Sequence, residues 1–187
     1  MRTLNRNQRT VFYANYLGET PAFDGNGFET GEAIVVYTEP IKLRANVSPA
    51  RGEAAIESFG VGLDFDKTIL FQGMSPITET SILWVDSSVD NESPYVDGKR
   101  IPHDYIIRRI AESLPSTNHT VVAIKKTHVT HRAAMVVSSA GIKMYDGNGN
   151  ENLIIQEPLM QSVRKLLHDI HDTPLVDKDG NYLMFGG

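Results

Sequence analysis

The sequence contains no cysteine. This absence excludes a disulfide framework, thiolate zinc sites, iron–sulfur clusters and cysteine nucleophiles. Long apolar runs are missing too, since no stretch approaches the roughly 20 residues that cross a bilayer as a helix. The basic, polar residues 1–9 and the short, interrupted apolar stretch after them lack the features of a secretory signal. We therefore expect a protein made and used in the cytoplasm, or in an assembly built there.

Charge and size narrow the class of protein further. The 187 residues are 41% hydrophobic and 22% charged, a composition typical of a soluble globular protein that folds without metal or disulfides. Lys and Arg together number 18 against 23 for Asp and Glu, which gives a net charge of −5. A mildly acidic chain is a poor candidate for wrapping nucleic acid over its whole surface.

The first two thirds of the chain have the pattern of short strands. Segments rich in β-branched residues and period-two alternation, clearest in 41–47, recur between turn signals. The predicted strands are 32–38, 41–47, 66–71, 81–86, 105–114 and 120–126. Segment 105–114 is ambiguous between helix and strand, but its β-branched content favours a strand. With one short helix at 53–60, the pattern predicts a mainly β fold, a small antiparallel barrel or sandwich.

The last third of the chain has a different pattern of predicted elements, which combines strands with one longer helix. It predicts strands at 133–139 and 141–145, a turn at 146–150, a return strand at 153–155, a helix at 158–172 and a final hairpin at 175–185. The apolar stripe of the helix consists of Leu159, Val163, Leu166, Leu167 and Ile170. We place a domain boundary at 130/131. It separates a barrel domain with an N-terminal arm (1–130) from a C-terminal α+β extension (131–187).

Two histidine pairs are the nearest approach to a metal site. His128 and His131 lie three residues apart in strand-like surroundings, where such neighbours point to opposite faces. His168 and His171 lie near the end of the predicted helix, where the helix dipole alone favours histidine. Neither pair has an identifiable third ligand, so we predict no metal site.

The glycine-rich segments favour turns over ligand loops. Residues 146–157 partly imitate a calcium loop, but Glu151 stands where the sharp turn of such a loop needs glycine. A hairpin turn is the better interpretation. Gly25, Gly27 and Gly31 lack the strand-then-helix context and the Lys-Ser/Thr pair of a phosphate loop. We predict no catalytic residue and no cofactor.

An ordered set of segments runs through residues 1–128. The segments are RTLNRNQ (2–8), VFYAN (11–15), TGE (30–32), PIKLRANVS (40–48), GEA (52–54), FG (59–60), DFDK (64–67), PITETSILW (76–84), PHDY (102–105), AESL (111–114) and KK (125–126). In order and spacing they resemble a group of small head–tail connector proteins, also called head closure or head completion proteins, of tailed phages and Gram-positive prophages. The region after residue 131 departs from the pattern of this group.

The resemblance implies a small β-barrel that assembles as a ring in the neck of the virion. Its implied partners are further copies of itself, the portal or adaptor protein, and the tail tube or tail completion protein. Duplex DNA would pass through the ring without sequence-specific binding, and a net negative charge suits a ring that does not grip it. The resemblance implies no catalytic residues and no membrane. Residues 131–187 would brace neighbouring subunits or contact the tail.

Two long polar loops and the N-terminal arm are the candidate contact regions. Loops 22–31 and 87–101 are long enough to project into a lumen or between subunits. The candidate lumen or subunit-contact residues of the second loop are Asp90, Asn91, Glu92 and Asp97. The candidate partner-contact residues of the arm are Arg2, Arg6 and Arg9, although a solvated chain end would carry them equally well.

Three other functions stay open at this point. A tail completion or terminator protein also forms a β-rich ring. A carbohydrate- or partner-binding β module would be a stable monomer with an exposed aromatic patch near Trp84 or Tyr95. A metal-dependent hydrolase using His128 and His131 would bind metal.

Overall fold

The computed structural model describes residues 8–24, 26–49, 59, 62–73, 75–87, 94–96, 99–112, 119–128, 133–138, 141–152 and 157–170. Their strands are β1 (Gln8–Ala14), β2 (Tyr16–Phe23), β3 (Glu29–Thr38), β4 (Ile41–Pro49), β5 (Lys67–Gln72), β6 (Ile82–Trp84), β7 (Tyr95–Val96), β8 (Lys99–Arg100), β9 (Tyr105–Glu112), β10 (His119–Lys126), β11 (Ala134–Ser138), β12 (Gly141–Tyr145) and β13 (Glu151–Asn152). Helix α1 spans Glu157–Ile170. The mainly β class is confirmed. No helix in the described ranges is long and apolar enough to cross a membrane.

The chain divides into two compact units. The first consists of Met1–Asn15, Pro40–Asp97 and Ile101–Thr130. The second consists of Tyr16–Glu39, Gly98–Arg100 and His131–Gly187. One change of unit therefore falls at 130/131, and the second unit also takes in β2 and β3 from the early part of the chain.

The first unit is a closed barrel in the strand order β1-β4-β5-β10-β9-β6. Every pair of neighbouring strands is antiparallel. Period-two alternation sends one face of each strand inward, and closure leaves no edge strand in the barrel. The buried core consists of Val11, Tyr13, Ala45, Ile69, Phe71, Ile77, Leu83, Val85, Tyr105, Ile107, Val122 and Ile124. The predicted barrel is confirmed, and β1 forms one of its walls where the sequence indicated an arm.

A β-bulge interrupts β9. Ala123 of β10 lies opposite Arg109, but the next residue, Ile124, lies opposite Ile107, so Arg108 is the extra residue. Ile107 and Ile110 both pack on the barrel core, although they are three positions apart in the sequence. Arg108 and Arg109 between them are both exposed. The bulge therefore keeps both isoleucines inside while turning two adjacent arginines outward.

The second unit is a five-stranded sheet in the order β13-β12-β11-β3-β2. Strand β11 pairs in parallel with β3, and the other neighbours are antiparallel. The core consists of Ile34, Val36, Met135, Val137 and Val163, the last of these from α1. At one point the helix comes very close to β2: a Cβ added to Gly18 would lie 2.7 Å from the Leu166 side chain. The predicted helix and the predicted strands at 133–139 and 141–145 are confirmed.

Some predicted elements lie mostly or wholly outside the described residues. Of the short helix at 53–60, only Phe59 is described. It has helical geometry and packs edge-on against Phe65 with ring centroids 5.5 Å apart. The final hairpin at 175–185 and the return strand at 153–155 fall outside. The partner of β12 is instead β13, which begins directly after the turn.

Candidate functional site

One end of the barrel carries a cluster of charged side chains. Strands β1, β5 and β9 alternate around the barrel and begin at this end, where β6 finishes. Arg9, Lys67 and Tyr105 stand at or near the starts of these strands, and Asp86 follows β6. With Asp104, which precedes β9, these residues form what we call the mouth cluster.

The three strand residues of the mouth cluster belong to the inward faces of their strands. Arg9 shares its face with the core residue Val11, and Lys67 shares its face with the core residue Ile69. Tyr105 is itself part of the barrel core. The mouth cluster is therefore a polar layer laid on top of the apolar layers of the interior.

Asp86 is the centre of this layer. Lys67 Nζ lies 2.8 Å from Asp86 Oδ1 and 2.7 Å from Oδ2. Arg9 Nη2 lies 3.2 Å from Oδ1, and the Tyr105 hydroxyl donates to Oδ2 at 2.8 Å. Lys67 Nζ also sits 5.1 Å from the centroid of the Tyr105 ring, in cation–π range. Three strands are thus tied together through one carboxylate.

Asp104 holds the backbone that presents Asp86. Its Oδ1 accepts a hydrogen bond from the Val85 amide at 2.8 Å, and its Oδ2 accepts one from the Asp86 amide at 2.7 Å. The Asp104 amide in turn donates to the Leu83 carbonyl at 3.1 Å. The backbone at the end of β6 is therefore held by hydrogen bonds that do not involve the Asp86 side chain.

The cluster fixes the protonation states of two of its members. Burial alone would raise the pKa of Asp86. Hydrogen bonds from Lys67 and Tyr105, with the positive charges of Lys67 and Arg9, outweigh burial and hold the pKa below its usual range. Burial raises the pKa of Tyr105 far above its usual value, and the hydrogen bond to Asp86 and its charge raise it further. Near neutral pH the carboxylate is ionised and the phenol is protonated.

These states suit a structural tie better than proton transfer. A general base needs a pKa near the working pH and a free lone pair aimed at a substrate. The Asp86 pKa is lowered and both its oxygens already accept hydrogen bonds. Because its pKa is raised, the Tyr105 phenol stays protonated and does not supply a phenolate nucleophile. The mouth cluster can therefore close the barrel interior and present charges of both signs at this end.

A second group of charges extends the same end of the barrel. Lys125 Nζ lies 2.7 Å from Asp64 Oδ1 and 3.5 Å from Asp66 Oδ1. Asp66 Oδ2 also accepts a hydrogen bond from the Lys126 amide at 2.8 Å. The side-chain hydrogen bond from Lys125 is the main cause that lowers the pKa of Asp64. The charged end therefore spans β5, β9 and β10 as well as β1 and β6.

The other end of the barrel is held by hydroxyl and amide groups. The Ser81 hydroxyl donates to Asn15 Oδ1 and accepts a hydrogen bond from the Thr78 amide at 2.9 Å. Asn15 Nδ2 donates to the Pro76 carbonyl at 3.2 Å. Thr120 Oγ1 donates to the Gly73 carbonyl at 2.8 Å. The described contacts at the two ends of the barrel therefore differ in chemistry. Ion pairs dominate one end, and at the other end hydrogen bonds join neutral groups, of which Ser81 and Thr120 are buried.

The second unit contains two loops of the same sequence and geometry, Asp-Gly-Asn-Gly at 24–27 and at 146–149. Asp24 Oδ1 accepts hydrogen bonds from the amides of Asn26 and Phe28, both at 2.9 Å. Asp146 Oδ1 accepts the equivalent bonds from Asn148 at 2.8 Å and Asn150 at 2.9 Å. This arrangement, with β12 and β13 paired on either side, confirms a hairpin turn at 146–150.

The side chains that follow the two loops differ. Phe28 is 70% exposed, whereas Asn150 is only partly exposed and donates from Nδ2 to Asp146 Oδ2 at 3.0 Å. Among the described aromatic residues, Phe28 and Tyr16 are exposed and Trp84 is not. Trp84 is fully buried, and its Nε1 donates to the Ile101 carbonyl at 2.7 Å. The aromatic patch expected of a binding module therefore does not form around Trp84.

The predicted site residues fall in different places. Those that lie outside the described residues are Asp90, Asn91, Glu92, Asp97, Arg2 and Arg6. Arg9 is described, and it belongs to the mouth cluster. His128 is exposed and His131 lies outside the described residues. Within the described ranges no three His, Asp or Glu side chains are grouped so that they could hold a metal ion.

The sequence analysis missed the mouth cluster. Lys67 and Tyr105 appeared only as the ends of strand-like segments, and only their inward position marks them. That position becomes visible once strand register is known, because Lys67 then lies on the same inward face as Ile69. In comparisons with known proteins, no family model and no curated protein matches this chain.

Proposed function

We propose that the chain is a structural virion protein of a tailed phage, a ring-forming head–tail connector or head closure subunit. It joins the portal or adaptor to the tail and helps to retain packaged DNA in the virion neck. The observation that carries the proposal is the closed barrel itself. Its six strands come from residues 8–126, the part of the chain whose ordered segments resemble that family.

The two ends of the barrel support a subunit with two neighbours. The mouth cluster places charged side chains at one end, whereas the contacts around Ser81 at the other end are hydrogen bonds among neutral groups. A connector must recognise one partner on the head side and a different one on the tail side. A barrel with charged side chains at one end meets part of that requirement, because complementary charge selects a partner and rejects the wrong one.

The charge of the chain is compatible with DNA passage. At −5, the net charge favours neither tight nor salt-sensitive binding of duplex DNA. The proposed role needs no enzymatic chemistry and no cofactor. Its partners are further copies of the chain, the portal or adaptor, the tail tube or tail completion protein, and DNA in the lumen. Assembly would take place in the cytoplasm of the bacterial host.

The test is native mass measurement of the full chain mixed with the portal and tail proteins of the same phage. The proposal predicts a complex in which several copies of the chain join the portal. A chain that stays monomeric with all partners present would contradict it. Copies that join only the tail tube, without any portal-side contact, would favour a tail terminator ring.

One observation favours a second candidate, a partner-binding β module. Phe28 exposes 70% of its surface on a loop that hydrogen bonds hold in place. Such a residue is typical of a recognition point. This candidate predicts a chain that remains monomeric alone and with the portal, and that binds a different protein through Phe28.

A further inference from the structure

The β2–β3 hairpin carries charge of one sign. Residues 19–33, which we call the acidic hairpin, contain four acidic residues and no Lys or Arg. The acidic residues are Glu19, Asp24, Glu29 and Glu32. Residues 29–33 of β3 are all exposed. None of the ion pairs among the described residues involves Glu19, Glu29 or Glu32.

Phe28 lies at the tip of the acidic hairpin, where hydrogen bonds hold its backbone and its side chain is exposed. Its amide donates to Asp24 Oδ1 at 2.9 Å, and its carbonyl accepts from the Asp24 amide at 2.8 Å. The matching loop at 146–149 makes the same bonds with Asn150 in the equivalent position. The turn therefore does not need an aromatic side chain. A fixed, exposed Phe loses little conformational entropy when it binds a partner.

The first unit presents the complementary chemistry on β4. Lys42 and Arg44 are exposed on its outer face, while Leu43 and Ala45 between and beside them pack toward the barrel core. Ile41 lies on the same face as Leu43 and Ala45, but it is 43% exposed at the rim of the barrel, where β4 begins, so the patch wraps around this rim. We call Ile41, Lys42 and Arg44 the basic strand patch. Neither Lys42 nor Arg44 takes part in the ion pairs among the described residues.

We propose that the acidic hairpin of one copy docks on the basic strand patch of a second copy. Phe28 would cover Ile41, and the carboxylates of Glu29 and Glu32 would face Lys42 and Arg44. This inference rests on the proposed ring and names the contact that builds it. Because the two patches are different surfaces, the contact is head-to-tail, the kind that closes into a ring.

A second copy fits these patches better than DNA or an unrelated protein. Each chain carries both halves of an apolar and charged pair, and both halves are exposed in the chain by itself. Duplex DNA would be attracted by Lys42 and Arg44 but would leave the acidic hairpin without a partner. One self-contact accounts for both surfaces.

Because the chain has no cysteine, a disulfide introduced at the contact reports on it alone. F28C protein is mixed with I41C protein in the presence of the portal and tail proteins. We expect a mixed disulfide dimer to form at least about tenfold faster than between I41C and E79C, since Glu79 is an exposed residue outside both patches. Homodimers of F28C in place of mixed dimers would overturn the proposal, as would a rate equal to that of the control.

Charge reversal gives an independent readout. E29K/E32K in the F28C protein should slow the mixed cross-link to the control rate, and adding K42E/R44E to the I41C partner should restore it. The matched reversals E79K and K165E, both at exposed positions, should change nothing. If the F28C–I41C pair without charge reversals cross-links only at the control rate, and K42E/R44E weakens duplex DNA binding, the patch is a nucleic-acid contact and the proposal is wrong.

The outcomes separate this contact from the proposed function. Copies that join the portal without the F28C–I41C cross-link leave the connector function standing and overturn the contact. A rapid cross-link in a chain that never joins the portal or the tail establishes the contact and overturns the connector function.

Discussion

At the mouth of the barrel, the Tyr105 hydroxyl donates a hydrogen bond to Asp86 Oδ2 at 2.8 Å. The bond joins the start of β9 to the residues that follow β6. Lys67 from β5 binds both oxygens of the same carboxylate. One acidic side chain therefore links strands that are not neighbours in the barrel, which makes it a sensitive point for stability.

Replacing this acid by its amide should destabilise the barrel. We expect D86N to lower the free energy of unfolding by about 2 kcal/mol, because it leaves Lys67 and Arg9 without their partner. The matched control is D64N, whose side chain is 73% exposed against 33% for Asp86. It should cost much less, because solvent screens an ion pair on an exposed side chain. Chemical denaturation measures the unfolding free energy of both variants. Equal losses would show that the contacts of Asp86 stabilise the barrel no more than an exposed ion pair does.

The Asp86 contribution should disappear in acid. Its pKa in the folded protein is below the unfolded value of about 4, so its stabilisation is fully present above that pH. As the pH falls further, toward the folded pKa, the stabilisation is lost. The stability difference between wild type and D86N, measured by denaturation from pH 7 to pH 2, should therefore shrink below about pH 4. A difference that stays constant over this range would contradict the assignment.

Tyr105 should give an opposite effect in alkali. Its pKa is raised on folding, so its stabilisation is complete below the unfolded value of about 10 and is lost as the pH rises above it. Y105F should reduce the loss of stability between pH 9 and pH 11. Some loss should remain, because burial raises the pKa of Tyr13 as well. An unchanged alkaline profile in Y105F would count against this explanation.

The close approach of Gly18 and Leu166 predicts a graded response. G18A places a methyl group 2.7 Å from a Leu166 methyl, at a φ of +139° that favours glycine. G31A also introduces a side chain at a positive φ, +79°, but it meets nothing within 4 Å. We expect G18A to lower the free energy of unfolding by about 1 kcal/mol more than G31A does. The double variant G18A/L166A should show how much of that excess is steric, since it removes the clash.

The bulge in β9 predicts an unusual tolerance to deletion. Removing Arg108 leaves Ile107, Arg109 and Ile110 alternating inward, outward and inward, as in a regular strand. We expect this deletion variant to fold with a loss of about 1 kcal/mol. Deletion of Arg44 from the unbulged β4 is the control, because it reverses the facing of the residues on one side of the gap. Thermal unfolding that finds the two deletions equally damaging would show that Arg108 is not the extra residue.

How far the sequence predicts the fold can be seen in the same strand. Ile107 and Ile110 have the three-residue spacing of a helix face, which is why 105–114 was ambiguous. The bulge produces that spacing within a strand, and nothing in the local sequence marks its position. By contrast, the two Asp-Gly-Asn-Gly loops were predictable as turns, because local hydrogen bonds to Asp24 and Asp146 determine them.

Long-range relationships account for what the sequence analysis missed. Strand β11 pairs in parallel with β3, so Ala134 lies opposite Val35 across nearly 100 residues of chain. A periodicity argument cannot choose such a partner. The mouth cluster depends in the same way on barrel closure, which alone brings Arg9, Lys67 and Tyr105 to one carboxylate. Composition and local pattern therefore predict the class of fold, whereas the position of the mouth cluster depends on long-range strand pairing.

The most direct test of the connector function is imaging of assembled phage particles that carry this chain. We predict density for a closed ring of these barrels in the neck, in contact with the portal or adaptor on one side and with the tail on the other. Particles whose neck lacks the chain, or in which it lies only at the far end of the tail tube, would contradict the account.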